Sequence, residues 1–153
     1  MDPLSVIAST LAVVQAALGT LNVLLVLRGA PAEIKSLVQD ISDLEAVLRT
    51  IEQASRGEGL LQPQAQDGYS AVQRLLTKAR SKVLELQQIL AGRIVPNCSK
   101  GASKFARVQW LQERSRVKAI QQDLQGVKLD IVSVWGAIAS LVTPSSCPCR
   151  MTH

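Results

Sequence analysis

The chain is 153 residues long, 47% apolar and 19% charged, with a formal net charge of +5; this is one domain with room for a sizeable core, and too hydrophobic for a disordered chain. Only 3% of it is aromatic, so the core must be aliphatic. Three cysteines without a CxxC spacing, and a single histidine at the last position, argue against a secreted disulfide framework, a zinc site and a Ser-His or Cys-His catalytic pair.

The charge is unevenly spread. Residues 1–67 hold four Lys/Arg against eight Asp/Glu, a net of −4, while residues 68–153 hold thirteen against four, a net of +9. Asp2 stands where a signal peptide would carry Lys or Arg, and no small-residue cleavage site follows the first apolar run. A reducing, cytoplasmic location is therefore expected, in which the Asn97-Cys98-Ser99 sequon is accidental.

The first predicted helix spans residues 3–27 and has no charged side chain between Asp2 and Arg28. Seventeen of those 25 residues are Ala, Val, Ile or Leu, and at about 1.5 Å per residue the stretch is long enough to cross a bilayer's hydrocarbon core. Its bulky residues Leu4, Ile7, Leu11, Val14, Leu18, Leu21 and Leu25 alternate steps of three and four, the stripe a helix buries against other helices. The opposite side is small or weakly polar, at Ser5, Ser9, Ala12, Ala16 and Thr20. Asp2 and Pro3 make a good start, and Arg28-Gly29 supplies a stop with a glycine free to turn left-handed. Three environments fit: a bundle core, a permanent transmembrane span, and conditional insertion into a membrane. Gln15, Gly19 and Asn22 favour the bundle, and a permanent span would leave three amphipathic helices without their partner. The lack of charge leaves conditional insertion physically open.

The second helix, residues 31–54, repeats the rhythm at Ile34, Leu37, Val38, Ile41, Leu44, Val47, Leu48 and Ile51, with charged residues on the remaining face. Residues 55–68, with Gly57, Gly59 and Pro63, read as a loop. The third helix, residues 69–91, carries Val72, Leu75, Leu76, Ala79, Val83, Leu86, Ile89 and Leu90, and Gly92 is expected to close it. The fourth, residues 103–142, has its clearest stripe at Val117, Ile120, Leu124, Val127, Ile131, Val134, Ile138 and Leu141. Unbroken, it would run about 60 Å, which calls for an overhang or a bend at Gly126 or Gly136. Thr143-Pro144 ends it, leaving residues 143–153 as a loose tail. Residues 1–142 thus predict an all-α four-helix bundle, most simply up-down-up-down, with a long C-terminal helix.

No catalytic, cofactor or metal site is expected. No GxxxxGK[ST] loop is present, and the second helix spaces its carboxylates like a solvated face. Lys100, Lys104, Arg107, Arg114 and Lys118 fall on one side of the fourth helix, with Leu111 completing the stripe. It suits a solvated face balancing the acidic second helix, an anionic membrane surface, or nucleic acid phosphates. Nucleic acid is disfavoured, because Tyr69, Phe105, Trp110 and Trp135 are too few and scattered for stacking platforms. Both tryptophans read as packing anchors.

The opening Met1-Asp2-Pro3-Leu4-Ser5-Val6-Ile7-Ala8-Ser9, then Ala30-Pro31-Ala32-Glu33-Ile34 leading into Asp40-Ile41-Ser42-Asp43-Leu44-Glu45-Ala46-Val47-Leu48, resembles the fungal N-terminal domain of STAND (NOD-like receptor) proteins, the HeLo-like group. The run Lys104-Phe105-Ala106-Arg107-Val108-Gln109-Trp110, continuing through Lys118, Ile120, Leu124 and Lys128, is similar to that family's final long helix. The resemblance covers about residues 1–142 and implies a non-enzymatic helical bundle that signals in fungal innate immunity or heterokaryon incompatibility. It implies programmed cell death by a homo-oligomer whose N-terminal helix attacks membranes, so that a cytoplasmic protein is recruited to anionic lipid. No nucleotide-binding domain, repeat array or amyloid-type motif accompanies the bundle in this sequence, which departs from the receptor layout. The alternative is a soluble helical domain that binds a protein partner and has no membrane activity.

Overall fold

A computed structural model describes residues 3–55, 66–98 and 105–142. Within them the chain forms four α-helices and no β-strand: α1 (Pro3–Leu25), α2 (Ala32–Ser55), α3 (Gln66–Ile89) and α4 (Arg107–Val142). A π-helical turn, Leu90–Ile94, and a 3-10 turn, Val95–Asn97, follow α3 directly. The architecture is an all-α helical bundle. Asp2, Lys100, Lys104 and the tail, expected as a cap, part of a stripe and a loose end, lie outside the described residues.

α1 takes Pro3 as its first residue, where a missing N–H costs nothing. It ends at Leu25, two residues earlier than expected. Leu27 N–H reaches only the Leu24 carbonyl, at 3.2 Å, and Ala30 N–H donates to the Leu27 carbonyl, also at 3.2 Å. Gly29 sits in that last turn with φ +78°, so its left-handed freedom serves the tight turn into α2 rather than the end of the helix itself.

The ridge of α1 is buried, with one shift. Ile7, Leu11, Val14 and Leu21 face the core as expected, but Ala17 and Leu24 replace Leu18 and Leu25, which are only half-buried, and Thr10 is fully buried. The inward line therefore runs 7, 10 and 11, 14, 17, 21, 24. Following only bulky residues misses it, because two of its members are small. The Thr10 hydroxyl donates to the Val6 carbonyl at 2.8 Å, which satisfies a polar group that burial would otherwise penalise. The Leu4 side chain lies outside the described set.

α2 buries Ile34, Leu37, Ile41, Leu44, Leu48 and Ile51, with Val38 and Val47 packed at the edge. α3 starts three residues before its expected onset and buries Val72, Leu76, Ala79, Val83, Leu86 and Ile89, with Leu75 half-buried. Gly92 does not close it. The backbone widens instead, with Val95 N–H bonding the Leu90 carbonyl, and both Leu90 and Ile94 stay in the core.

α4 is continuous as an α-helix over 36 residues. Its helical bonding runs through Gly126 and Gly136, and its 36 residues lie alongside α3 extended by the π and 3-10 turns. The ion pairs fix this register: Lys82–Asp123 at 3.1 Å, Glu85–Arg116 at 3.4 Å, and Arg93 of the π turn with Glu113 at 3.1 Å. Numbers rise on one helix as they fall on the other, so α3 and α4 are antiparallel.

α1 packs on α2 and α3, α3 on α4, and α2 meets α4 along a lighter seam, which places α1 and α4 at opposite corners. Phe105 N–H donates to the Arg28 carbonyl at 2.9 Å, tying the approach to α4 onto the α1–α2 turn.

Candidate functional site

The seams of the bundle differ in chemistry, and that difference singles out α1. Where α2 meets α4, α2 presents Glu33, Ser36, Asp40 and Asp43 on successive turns of one face. Glu33 accepts from Trp110 Nε1 at 3.1 Å and pairs with Arg114 Nε at 2.9 Å. Gln121 donates to Ser36 Oγ at 3.1 Å and to Asp40, Gln125 donates to Asp40 Oδ2 at 2.8 Å, and Lys128 reaches Asp43 at 4.0 Å. Numbers rise together, so α2 and α4 run in the same direction. With the ion pairs between α3 and α4, polar contacts staple α2, α3 and α4 into one unit.

α1 has almost none of this. Among the described residues its one polar side-chain contact to another helix is Gln87 Nε2 donating to Thr20 Oγ1 at 2.9 Å. The rest of its attachment is apolar burial. Its outer side is equally unusual: Ala8, Ala12, Gln15, Ala16, Gly19 and Asn22 are exposed and none is charged. A water-facing helix surface normally carries charges, as exposed Lys35 and Arg49 on α2 and Lys78 and Arg80 on α3 show. Ser5–Leu25, 21 residues, is long and apolar enough to cross a membrane by length and composition, while 39% of its 18-residue apolar window is buried inside the bundle. α1 thus combines a buried apolar inner ridge with an exposed, uncharged outer face.

Of the expected basic stripe, Lys100 and Lys104 lie outside the described residues. Arg107 and Lys118 are exposed beside the exposed Leu111, with no ion pair among the described residues. Arg114 turns toward α2 and Glu33 instead. Trp110, expected as an anchor, is 3% exposed and meets Phe105 edge-on, ring centroids 5.8 Å apart and planes at 72°. Trp135 is half-buried against the core.

Two polar features escaped the sequence. Glu113, 8% exposed, is a buried carboxylate answered by Arg93 from the π turn; it sits in the inward rhythm of α4, between Trp110 and Val117, which is the signal that marks it. Glu33 looked like part of a solvated face, and only the parallel α2–α4 register puts it under Trp110. A polar hollow of about 260 Å³ lies beside Glu113, bordered by Arg93, Asn97, Gln109 and Gln112. An open groove of about 350 Å³ runs between Leu75 and Val134, with Arg74 and Asp130 at its rim. Among the described residues no three His, Cys, Asp or Glu side chains converge as metal ligands, and half-buried Cys98 points its thiol at the Ile94 carbonyl, 3.1 Å away. Cys147, Cys149 and His153 lie outside the described residues.

Comparison of the chain with known protein families, characterised proteins and solved structures returns no match.

Proposed function

We propose that this chain is a non-enzymatic helical signalling module, of the HeLo-like kind its opening resembles, in which α1 is the membrane effector and the stapled α2–α4 unit is the platform it leaves. The supporting observation is the asymmetry of attachment: three helices are cross-linked by ion pairs and hydrogen bonds, while α1, among the described residues, is held by apolar contact and one amide–hydroxyl bond. Apolar contact is the one kind of attachment that lipid replaces. In water, releasing α1 exposes Ile7, Leu11, Val14, Leu21 and Leu24, at about 1.5–3 kcal/mol for each large side chain, so the bundle holds. Against a bilayer the same surface finds an equivalent solvent, and no ionised group opposes entry. The setting is cytoplasmic with recruitment to anionic lipid, where an exposed cation such as Arg107 is worth about 1 kcal/mol near the surface.

Leakage of dye from anionic vesicles tests this. Ala12→Glu with Ala16→Lys places an i,i+4 pair on the exposed face of α1, which leaves net charge unchanged and the water-soluble fold intact. In the bilayer each charge costs on the order of 3 kcal/mol. The wild-type chain is expected to release dye and the double variant to lose that activity with an unchanged circular dichroism spectrum. Equal leakage from both removes α1 from the role. A second reading, a soluble helical domain that binds a protein partner, is favoured by the burial of the inner ridge. It predicts no vesicle binding by either chain.

A further inference from the structure

α4 carries a second heptad on the side away from the core. Val108 and Leu111 open it and Leu129 and Val132 close it, and these four are 62%, 63%, 65% and 50% exposed. Ser115, Lys118, Gln122 and Gln125 continue the same three-four spacing between them, all exposed. The apolar positions of such a stripe are what paired helices bury, yet among the described residues these four stay exposed, while Gln125 bonds Asp40 of α2.

The stripe is also a palindrome. Val108 and Val132 lie twelve positions either side of Ile120, and Leu111 and Leu129 nine. Ser115 mirrors Gln125 at five positions, and Lys118 mirrors Gln122 at two. An antiparallel copy of α4 centred at that point therefore lays Val108 on the other chain's Val132 and Leu111 on its Leu129, with polar residues meeting polar residues in the middle. Each contact then occurs twice, as a two-fold interface requires of its patch. The other exposed large apolar residues, Val23 and Val26 on the α1 side and Leu84 on α3, form no comparable stripe.

We propose that this face of α4 binds a second copy of this chain, α4 against α4 antiparallel, with the two-fold axis passing at Ile120. One helix per copy buries less than the roughly 800 Å² per partner typical of stable complexes. The dimer is accordingly weak and concentration-dependent. Lys118 approaches its own counterpart across the axis, so added salt strengthens the dimer. The proposal stands whether or not α1 enters membranes.

Sedimentation velocity of the full chain, from micromolar toward millimolar concentration, is expected to show the mass rising from 16.5 kDa toward twice that value. Leu111→Asp and Leu129→Asp, both at exposed positions, are expected to hold the chain monomeric with unchanged circular dichroism. Lys118→Leu is expected to lower the dimerisation midpoint about tenfold. Register is read by cross-linking with Cys98, Cys147 and Cys149 replaced by serine. Val108→Cys chains mixed with Val132→Cys chains are expected to form a disulfide, and Val108→Cys chains alone to form little. A monomer at every concentration, a dimer indifferent to both Asp variants, or equal cross-linking of Val108→Cys chains by themselves overturns the proposal. So does a monomer whose vesicle binding falls with Leu111→Asp, which would assign the face to lipid instead.

Discussion

Glu33 answers two unlike donors, a buried indole N–H and a guanidinium, from successive turns of α4. It lies in the first turn of α2, where a carboxylate also meets the helix's unpaired amides. Removing it leaves Trp110 Nε1 buried without an acceptor, at about 1–3 kcal/mol. Glu33→Ala is therefore expected to lower Tm by several degrees, at roughly 2–4 °C per kcal/mol for a chain this long. Glu33→Gln, which keeps an acceptor for the indole, is expected to lose less in the same thermal melt. Equal losses would mean that the charge, and not the indole bond, carries the effect. None of this was legible in the sequence, because Glu33 sits among other charged positions of α2 such as exposed Lys35, and the partner is 77 residues away. Gly29 was legible: a glycine directly after an apolar helix needs only local geometry to be read, and it does take positive φ.

The helices themselves were readable because each repeats its apolar residues at three and four, and burial follows that period along α2, α3 and α4, with Val38, Val47, Leu75 and Val134 only half-buried and the Leu141 side chain outside the described residues. What was not readable is where small residues replace large ones. Ala17 and Thr10 lie on the inward line of α1, where an apolar tally prefers Leu18. Ala17 is fully buried, so Ala17→Leu forces α1 outward at about 1–3 kcal/mol while adding apolar surface for lipid. Half-maximal vesicle leakage is expected at lower protein concentration together with a lower Tm. A variant that leaks less than wild type would mean that a looser α1 is not a more active one. The ends of α3 and the start of α4 differ from expectation for a related reason. Helix length was read one segment at a time, whereas α4 is matched by α3 plus the π and 3-10 turns, a pairing set by Lys82, Arg93 and Arg116 across the seam.

At the scale of the molecule, charge is partitioned by helix. α1 has none, α2 is acidic, and α3 and α4 are basic, so the acidic and basic elements hold one another and α1 is left to the hydrophobic effect. The sequence displayed this partition plainly; which helices touch, and that α1 and α4 occupy opposite corners, came only from the structure. The same partition puts the uncharged helix on one side of the bundle and the proposed self-association face of α4 on the other, so pairing through α4 leaves α1 uncovered. The central claim is that α1, and not the stapled unit, passes into lipid. The most direct test attaches an environment-sensitive fluorophore through Ala16→Cys on the outer face of α1, or through Ala46→Cys on the exposed face of α2, with the native cysteines replaced by serine. On addition of anionic vesicles the label at position 16 is expected to shift to the blue and be quenched by a bilayer-embedded quencher, while the label at 46 stays in water. An unmoved label at 16, or equal shifts at both positions, would contradict the account.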